Sequence, residues 1–448
     1  MRVHRPAPAR AVAAHALERV ARDGAFADLA LDAALARRPL ATRDTALATE
    51  LVYGTLRWQR YLDWVLAPHS RRPLHGLEPR VLVLLRMTAY QIAFLDRVPP
   101  FAAVDDAVSL AGTNPGVTGF VNAVLRSFAR RGAREREPAF PEDAVEALAI
   151  RCSFPTWLAA RWSERFGLDE ARALMLALNE RPPLTIRANT LRLSRDELAK
   201  RLASEEARRP APVRYASEGL VVDHGGGAPA AWRVFNEGGC VVQDEASMLI
   251  GHLAAPRPGD IVADVCAAPG TKTTHLAQLM ANQGRILAFD RDPERLARVG
   301  EAAARLGISI VQARDGSVES RALEHAGSCD VVLVDAPCSN LGVLRRHPEV
   351  KWRRRPADLA DKAVSQRTIL RAAATLVKRG GRLVYATCSL EPEENEAVVR
   401  DLLAARTDLA IDPPRAFPIA LDEIGILRCL PHRHGTDGFT AVRLRRTP

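Results

Sequence analysis

Two cysteines stand where an α/β enzyme keeps its chemistry. In Tyr385–Asn395, YATCSLEPEEN, an apolar run Arg382–Thr387 ends at Cys388, with acids, a proline and an asparagine just after it. A second apolar run, Val331–Asp335, leads into Asp335-Ala336-Pro337-Cys338. Both runs read as short buried strands, and open α/β sheets bind ligands at the carboxyl ends of their strands. A lone cysteine at such a place is usually a small buried hydrophobe. Two thiols at neighbouring strand ends, beside a carboxylate, shift that balance. A free thiol with pKa near 8.5 is only about 3% thiolate at pH 7. A reactive one needs a positive neighbour or a helix terminus, and Lys272 is the candidate in the same cleft.

The turn that carries Lys272 reads Asp264-Val265-Cys266-Ala267-Ala268-Pro269-Gly270-Thr271-Lys272. Its small residues let backbone N–H groups at a helix N-terminus approach a ligand. A dinucleotide fingerprint needs three glycines, and this turn has one. A phosphate-binding Walker loop fits Lys272-Thr273, but Cys266 and Thr271 occupy its glycine positions. A ligand with a carboxylate and no phosphate remains. The next strand ends at Asp290, twenty residues after Gly270, at the spacing of an acid that holds ribose hydroxyls. The third strand is followed by Asp315-Gly316, where an acid can receive an adenine amino group, and the fourth ends in Asp335. Singly, each Asp also reads as a helix cap or turn residue. Together, at the ends of successive strands, they describe a nucleoside joined to an amino acid: S-adenosylmethionine.

One reaction uses all these parts. Carbon-5 of cytosine is a poor nucleophile. A thiolate adding at carbon-6 turns it into an enamine carbon able to attack a methyl sulfonium. A carboxylic acid at ring N3 absorbs the developing charge. A base must then remove the carbon-5 proton so that the thiol can leave.

The elements that must position these residues divide the 448-residue chain into three. Residues 1–132 read as helical, with apolar residues at three- and four-residue steps in Ala11–Val20, Ala46–Tyr61 and Val81–Leu95. Arg130–Glu142, RRGAREREPAFPE, reads as a linker. Residues 143–238 form a small α+β module, with strands at 184–189 and 219–222 around a helix at 194–203; an RNA-binding fold of the RRM type and a plain spacer both fit it. From 239 to 448, strands at 261–265, 285–290, 308–312, 331–335 and 382–387 alternate with helical patterns, which predicts a doubly wound, mostly parallel sheet. Thr440–Leu444 adds one more strand.

Hydrophobic content of 47% suits packed cores. The 63 basic and 53 acidic residues give +10, which suits a polyanion such as nucleic acid. Only five of the 63 are Lys, and a skewed genomic base composition produces the same bias. Seven scattered cysteines argue for reduced thiols in a cytoplasmic setting. The longest apolar stretch is too short to span a membrane. The acid-poor start, MRVHRPAPARAVAAHALERV, faintly fits a transit peptide but lacks serine and runs into an amphipathic helix. The basic run Arg345–Arg355, RRHPEVKWRRR, suits phosphate contact and base stacking as well as a solvated face. Cys429-x-x-His432-x-His434 lacks a nearby fourth ligand and reads as a surface loop, so no metal is expected.

The motifs CAAPGTK, DAPCS, RRHPEVKW, YATCSLEPEEN and the final DGF (Asp437-Gly438-Phe439) resemble those of bacterial rRNA cytosine-C5 methyltransferases of the RsmB (Fmu/Sun) type, within the NOL1/NOP2/Sun family. Glu50–Trp58 and Phe120–Arg126 look like parts of the NusB-like RNA-binding domain of that type. The resemblance implies an all-helical NusB-like domain, a small ferredoxin- or RRM-like module and a Rossmann-like methyltransferase domain. It implies Cys388 as nucleophile, Cys338 as the thiol assisting release, and Asp335 in contact with cofactor and cytosine. It assigns S-adenosylmethionine to the Cys266–Lys272 turn (Cys266, Ala267, Ala268, Pro269, Gly270, Thr271, Lys272), Asp290 and Asp315. The implied partner is 16S rRNA before assembly is complete, bound by a monomer. Two departures stand out: Thr271 replaces a usual glycine, and Asn340-Leu341 replace smaller residues after DAPCS. The rivals are the same chemistry on tRNA or 23S rRNA, and a non-catalytic NusB-like assembly factor, which would bind no cofactor.

Overall fold

The computed structural model of the protein describes residues 7–130, 137–223 and 228–447. Six residues of the linker, 131–136, and the first six of the acid-poor start lie outside them. The chain forms two compact units: Met1–Glu180 with Leu344–Arg353, and Arg181–Val343 with Arg354–Pro448.

The first unit is helical: α1 Pro8–Asp23, α2 Ala27–Arg37, α3 Thr42–Arg57, α4 Gln59–Leu66, α5 Pro79–Phe94, α6 Pro100–Leu110, α7 Pro115–Ala129, α8 Ala144–Arg151, α9 Thr156–Phe166 and α10 Leu168–Asn179. Prolines open α1, α5, α6 and α7, where a missing N–H is harmless. The expected helix Ala46–Tyr61 is two helices, because the backbone breaks at Trp58 (φ −103°, ψ 15°). Two of the polar interruptions of α5 are paired, Gln91 buried and Arg86 half-buried. Gln91 accepts from Arg10 Nε at 2.6 Å, and Arg86 grips Asp63 with two bonds of 2.7 and 2.6 Å.

The segment Leu344–Arg353 corrects the reading of a solvated or RNA-facing basic run. Arg345 and Lys351 are buried. Lys351 Nζ donates to the Arg57 carbonyl and Asn179 Oδ1, each at 2.8 Å, and lies 4.0 Å from the Phe154 ring centroid. Trp352 Nε1 donates to the Leu56 carbonyl at 2.7 Å, and Arg353 donates to carbonyls around Gly24. These donors close the carbonyl ends of α1 and α3, where helices carry negative partial charge. Burial, first, and the Arg57 charge hold the Lys351 amine well below its ordinary 10.5. Between that lowered value and 10.5 the unfolded chain holds the extra proton, so raising the pH through this window stabilises the fold. Urea midpoints should therefore rise from neutral pH towards pH 9 in the wild type, and rise less in Lys351→Met. Equal slopes would refute the buried, discharged amine.

The second unit holds two sheets. Strands β1 Leu184–Ala188, β2 Ala211–Pro212, β3 Gly219–Val222 and β4 Cys240–Val242 make an antiparallel sheet in the order β2-β3-β1-β4. The helix Arg195–Glu205 packs on it, opened by a Ser194/Glu197 capping box. The larger sheet has β5 Ile261–Asp264, β6 Arg285–Asp290, β7 Val311–Asp315, β8 Cys329–Asp335, β9 Val377–Thr387, β10 Leu409–Ile411, β11 Ile426–Cys429 and β12 Phe439–Arg446. Its order is β10-β12-β9-β8-β5-β6-β7, with β11 beside β12. The five strands from β9 to β7 run parallel, and β12 joins them antiparallel. Alternate residues divide between two cores. Ala263, Leu287, Val332 and Leu383 face one, with helices Pro356–Leu376 and Glu396–Ala405. Val262, Ile286, Val331 and Val384 face the other, with helices Glu245–Ala254 and Thr271–Leu279. That two-sided burial is why these strands read as continuous apolar runs.

Two expected elements shift. The third parallel strand begins at Val311, not Ile308, because Gly307 closes the preceding helix in a left-handed cap (φ 72°) and Ile308 N donates back to Ala303. The last parallel strand begins at Val377, not Arg382, with a bulge at Gly380-Gly381 where the register skips from Cys329↔Val377 to Val331↔Arg382.

Candidate active site

The carboxyl ends of β5, β6, β8 and β9 gather the expected residues. After β5 the backbone turns through Cys266–Gly270 and enters helix Thr271–Leu279. Gly270 takes φ +100°, and a Cβ there would stand 3.0 Å from Val299 Cα, so the turn lies close against the next helix. Asp290 closes β6 and braces this turn: its Oδ2 accepts from Ala268 N at 3.2 Å and its Oδ1 from Asp292 N at 3.1 Å. Asp315 closes β7 in register with Asp290 and is exposed.

Asp264 was not expected in the site. It is buried at the foot of the turn, where Oδ2 accepts from Thr273 Oγ1 at 2.7 Å and Oδ1 has no partner. Burial, first, and nearby Asp335 lift its pKa to about 7. Burial and the carboxylates of Asp264, Asp335 and Asp290 push the Cys266 thiol well up, so it lines the turn as a neutral group.

Lys272 was expected to serve a thiol. It instead pairs with Asp335, Nζ to Oδ2 at 2.6 Å, and lies over the Phe439 ring at 4.9 Å. The pair joins the cofactor-side helix to the end of β8. Thr271, the departure from the family pattern, starts that helix, and its carbonyl accepts from the buried Arg187 at 2.9 Å. Arg187 also reaches Thr274 Oγ1 and Gln278 Oε1, so β1 of the small sheet braces the helix.

The two thiols meet. Cys338 Sγ and Cys388 Sγ lie 3.1 Å apart, Cys338 buried and Cys388 half-buried. Their separation along the chain is closed because β8 and β9 are neighbours. The hydrogen bond to Cys388, burial and the Cys388 charge push the Cys338 thiol well up. Leu341 is wholly buried.

Glu394, quoted in the motif but given no role from sequence, ties the two thiol loops together. It is fully buried and accepts from Ser339 N at 2.8 Å, Ser339 Oγ at 2.5 Å, Ser389 Oγ and Gln366 Nε2 at 3.0 Å. Ser339 and Ser389 each follow a thiol directly. Asn395 locks the same turn through Thr387 Oγ1 and the carbonyls of Ser389 and Glu391. The run of acids after the strand was the signal, since an acid beside two serines can be a shared acceptor. The DGF tail has a steric reason: Gly438 N donates to the Gly342 carbonyl at 2.8 Å, too close for a Cβ at either residue.

Cys429 is core, not loop, and His434 Nδ1 accepts from Leu430 N at 2.9 Å. Among the described residues one group has metal-ligand chemistry: Glu218, His252 and His275. Glu218 Oε1 lies 2.9 and 2.8 Å from the two imidazole Nε2 atoms. Its carboxylate already offsets the fully buried Arg187, so a divalent cation would leave the spot strongly positive.

No helix among the described residues is long and apolar enough to cross a membrane. Residues 252–445 match the model of the 16S rRNA methyltransferase RsmB/F family, residues 7–130 the NusB family, and residues 154–227 the RsmF/B-like ferredoxin-like domain. The chain is 35% identical to the probable ribosomal RNA small subunit methyltransferase B of Bacillus subtilis, over 98% of each chain. It is 35% identical to ribosomal RNA small subunit methyltransferase B of Escherichia coli, over 89% of this chain and 90% of that one. The crystal structure of PH0851 superposes with a TM-score of 0.83 at 29% identity, covering 97% of this chain and 99% of that one. NSun6 from Pyrococcus horikoshii, solved with the S-adenosylmethionine analogue SFG, gives 0.59 at 26%, covering 66% and 99%.

Proposed function

The chain belongs to the 16S rRNA methyltransferase RsmB/F family, and from that premise we propose that it methylates carbon-5 of a cytosine in 16S rRNA through a covalent cysteine adduct. The observation that carries this reading is the thiol pair 3.1 Å apart just past the ends of two adjacent strands, the first of which closes on Asp335.

The turn residues fit the methyl donor. The small Cys266–Gly270 backbone and the helix N-terminus at Thr271 suit a carboxylate. The free Oδ1 of Asp264 offers a buried acceptor to an ammonium, and Asp290 and Asp315 present acids for ribose and adenine. Bound there, S-adenosylmethionine supplies the electrophilic methyl group. Cys388, the more exposed thiol, adds to carbon-6 of the cytosine. Asp335 meets the ring at N3 and relays to it a proton from the Lys272 ammonium, 2.6 Å away, which returns to Lys272 when Cys388 leaves. Cys338 then takes the carbon-5 proton, and Cys388 leaves. Scattered free thiols and an RNA substrate support a cytoplasmic setting for this reaction.

The test uses Cys338→Ala with unmodified 16S rRNA and S-adenosylmethionine. A slow, nuclease-sensitive band on a denaturing protein gel is expected, and it should vanish in the Cys338→Ala/Cys388→Ala double variant. No band from an active enzyme would reverse the cysteine roles or remove the adduct. Wild-type methylation of tRNA or 23S rRNA in place of 16S rRNA would move the substrate.

A further inference from the structure

One polar side chain touches both thiols and has no part in the steps above. Asn340 places its Oδ1 3.1 Å from Cys388 Sγ and 3.5 Å from Cys338 Sγ. With the sulfurs 3.1 Å apart, the three atoms form a triangle. An asparagine at φ +64° is an ordinary turn residue, and such a residue commonly bonds its own backbone two residues on. Here the side chain turns to the sulfurs instead.

The loop fixes it there. Val343 N donates to the Asn340 carbonyl at 3.2 Å, and Gly342 N donates to the Cys388 carbonyl at 2.8 Å. A Cβ on Gly342 would lie 2.2 Å from the Gly438 carbonyl oxygen, so the loop has no room to slide. The Asn340 backbone N–H also favours the charged form of Cys338, so that both the main chain and the side chain of this residue address the pair.

We propose that Asn340 is a catalytic residue: its side-chain amide selects Cys388 as the ionised member of the thiol pair. The inference rests on the cysteine roles proposed above. In the resting pair the amide oxygen accepts the Cys388 S–H. When that proton passes to water, a half-turn of the amide brings its NH2 group to the sulfur as a donor. The Cys338 S–H is the second donor. One negative charge thus sits on the nucleophile between two hydrogen-bond donors. The hydrogen bond to Cys388, burial and the Cys388 charge keep Cys338 protonated in the resting pair. Once Cys388 is bonded to the ring its charge is gone, and Cys338 releases its proton to water before it takes the carbon-5 proton. One amide therefore serves the two thiols in sequence.

Among the described residues, Glu394, shared by both loops, and Tyr385 on β9 are other titratable groups that act on the pair. Variation at Asn340 leaves both of them in place. Asn340→Gly keeps the left-handed backbone and removes the amide, and Asn340→Asp keeps the shape but replaces the donor with charge. The experiment is alkylation of Cys388 by iodoacetamide in the full chain, followed by peptide mass spectrometry between about pH 6 and 10. The midpoint is expected to rise by about one pH unit in Asn340→Gly, and further in Asn340→Asp. Methyl transfer at pH 7 should fall about tenfold in Asn340→Gly and recover at higher pH. An unchanged midpoint in both variants overturns the proposal, whatever happens to the rate, because a loop role alone lowers the rate without moving the midpoint. Alkylation needs neither RNA nor cofactor. A shifted midpoint in a protein whose wild type methylates no RNA would instead overturn the cytosine reading.

Discussion

Cys388→Ala is expected to lower methyl transfer to 16S rRNA by roughly 10,000-fold or more, the scale on which removal of a covalent nucleophile is felt. Without the sulfur, carbon-5 of the ring is never activated, and neither the Asp335–Lys272 pair nor the cofactor turn can substitute for a bond to carbon-6. Cofactor affinity should stay near wild type, because the groups bracing the turn, Asp290 and Arg187, are hydrogen-bonded independently of residue 388. Calorimetry with S-adenosylmethionine and a radiolabelled methyl assay separate the two. Activity within an order of magnitude of wild type would sink the nucleophile assignment, and lost cofactor binding would show that the substitution had damaged the fold instead.

Glu394→Ala should damage stability and chemistry together. It strips one acceptor from the Ser339 amide, two serine hydroxyls and Gln366, all buried. Several orphaned buried donors cost about 3–5 kcal/mol between them. Because the two serines each follow a thiol, the triangle of Cys338, Cys388 and Asn340 loses its common anchor. Methyl transfer should fall by at least about 100-fold, as reacting groups shifted by an ångström do. Glu394→Gln, which keeps the shape and one oxygen, should lose less of both. Thermal denaturation and single-turnover methylation are the measurements. A Glu394→Ala protein with wild-type midpoint and rate would contradict the shared-anchor account.

The parts that were legible in the sequence are those where local chemistry and position coincide. Strands β5, β6, β8 and β9 announced themselves as apolar runs because both faces of the sheet are covered. The thiols and carboxylates at their ends followed from that placement. Edge strand β7 misled by three residues, because its exposed residues carry no apolar run while the buried Ile308 just before it belongs to a helix cap. The fate of RRHPEVKWRRR was not legible at all. Composition sees six cations and a tryptophan, and only the tertiary structure reveals that the carbonyl ends of α1 and α3 wait for three of those residues. Asn340 and Glu394 were visible as letters, but each also has a partner on the other thiol loop, Cys388 for Asn340 and Ser339 for Glu394, far along the chain.

The excursion of Leu344–Arg353 into the first unit also sets an order of events at the ribosome. The helices through Asn179 emerge first, yet the residues that close α1 and α3 arrive only after β5 to β8 have been made. At a translation rate of about 5–20 residues per second, the nascent helical unit spends many seconds with those carbonyls and the space for Trp352 unfilled. The earliest part of the chain to be synthesised is therefore among the later parts to be finished. A fragment ending before residue 344 would be held permanently at that incomplete stage.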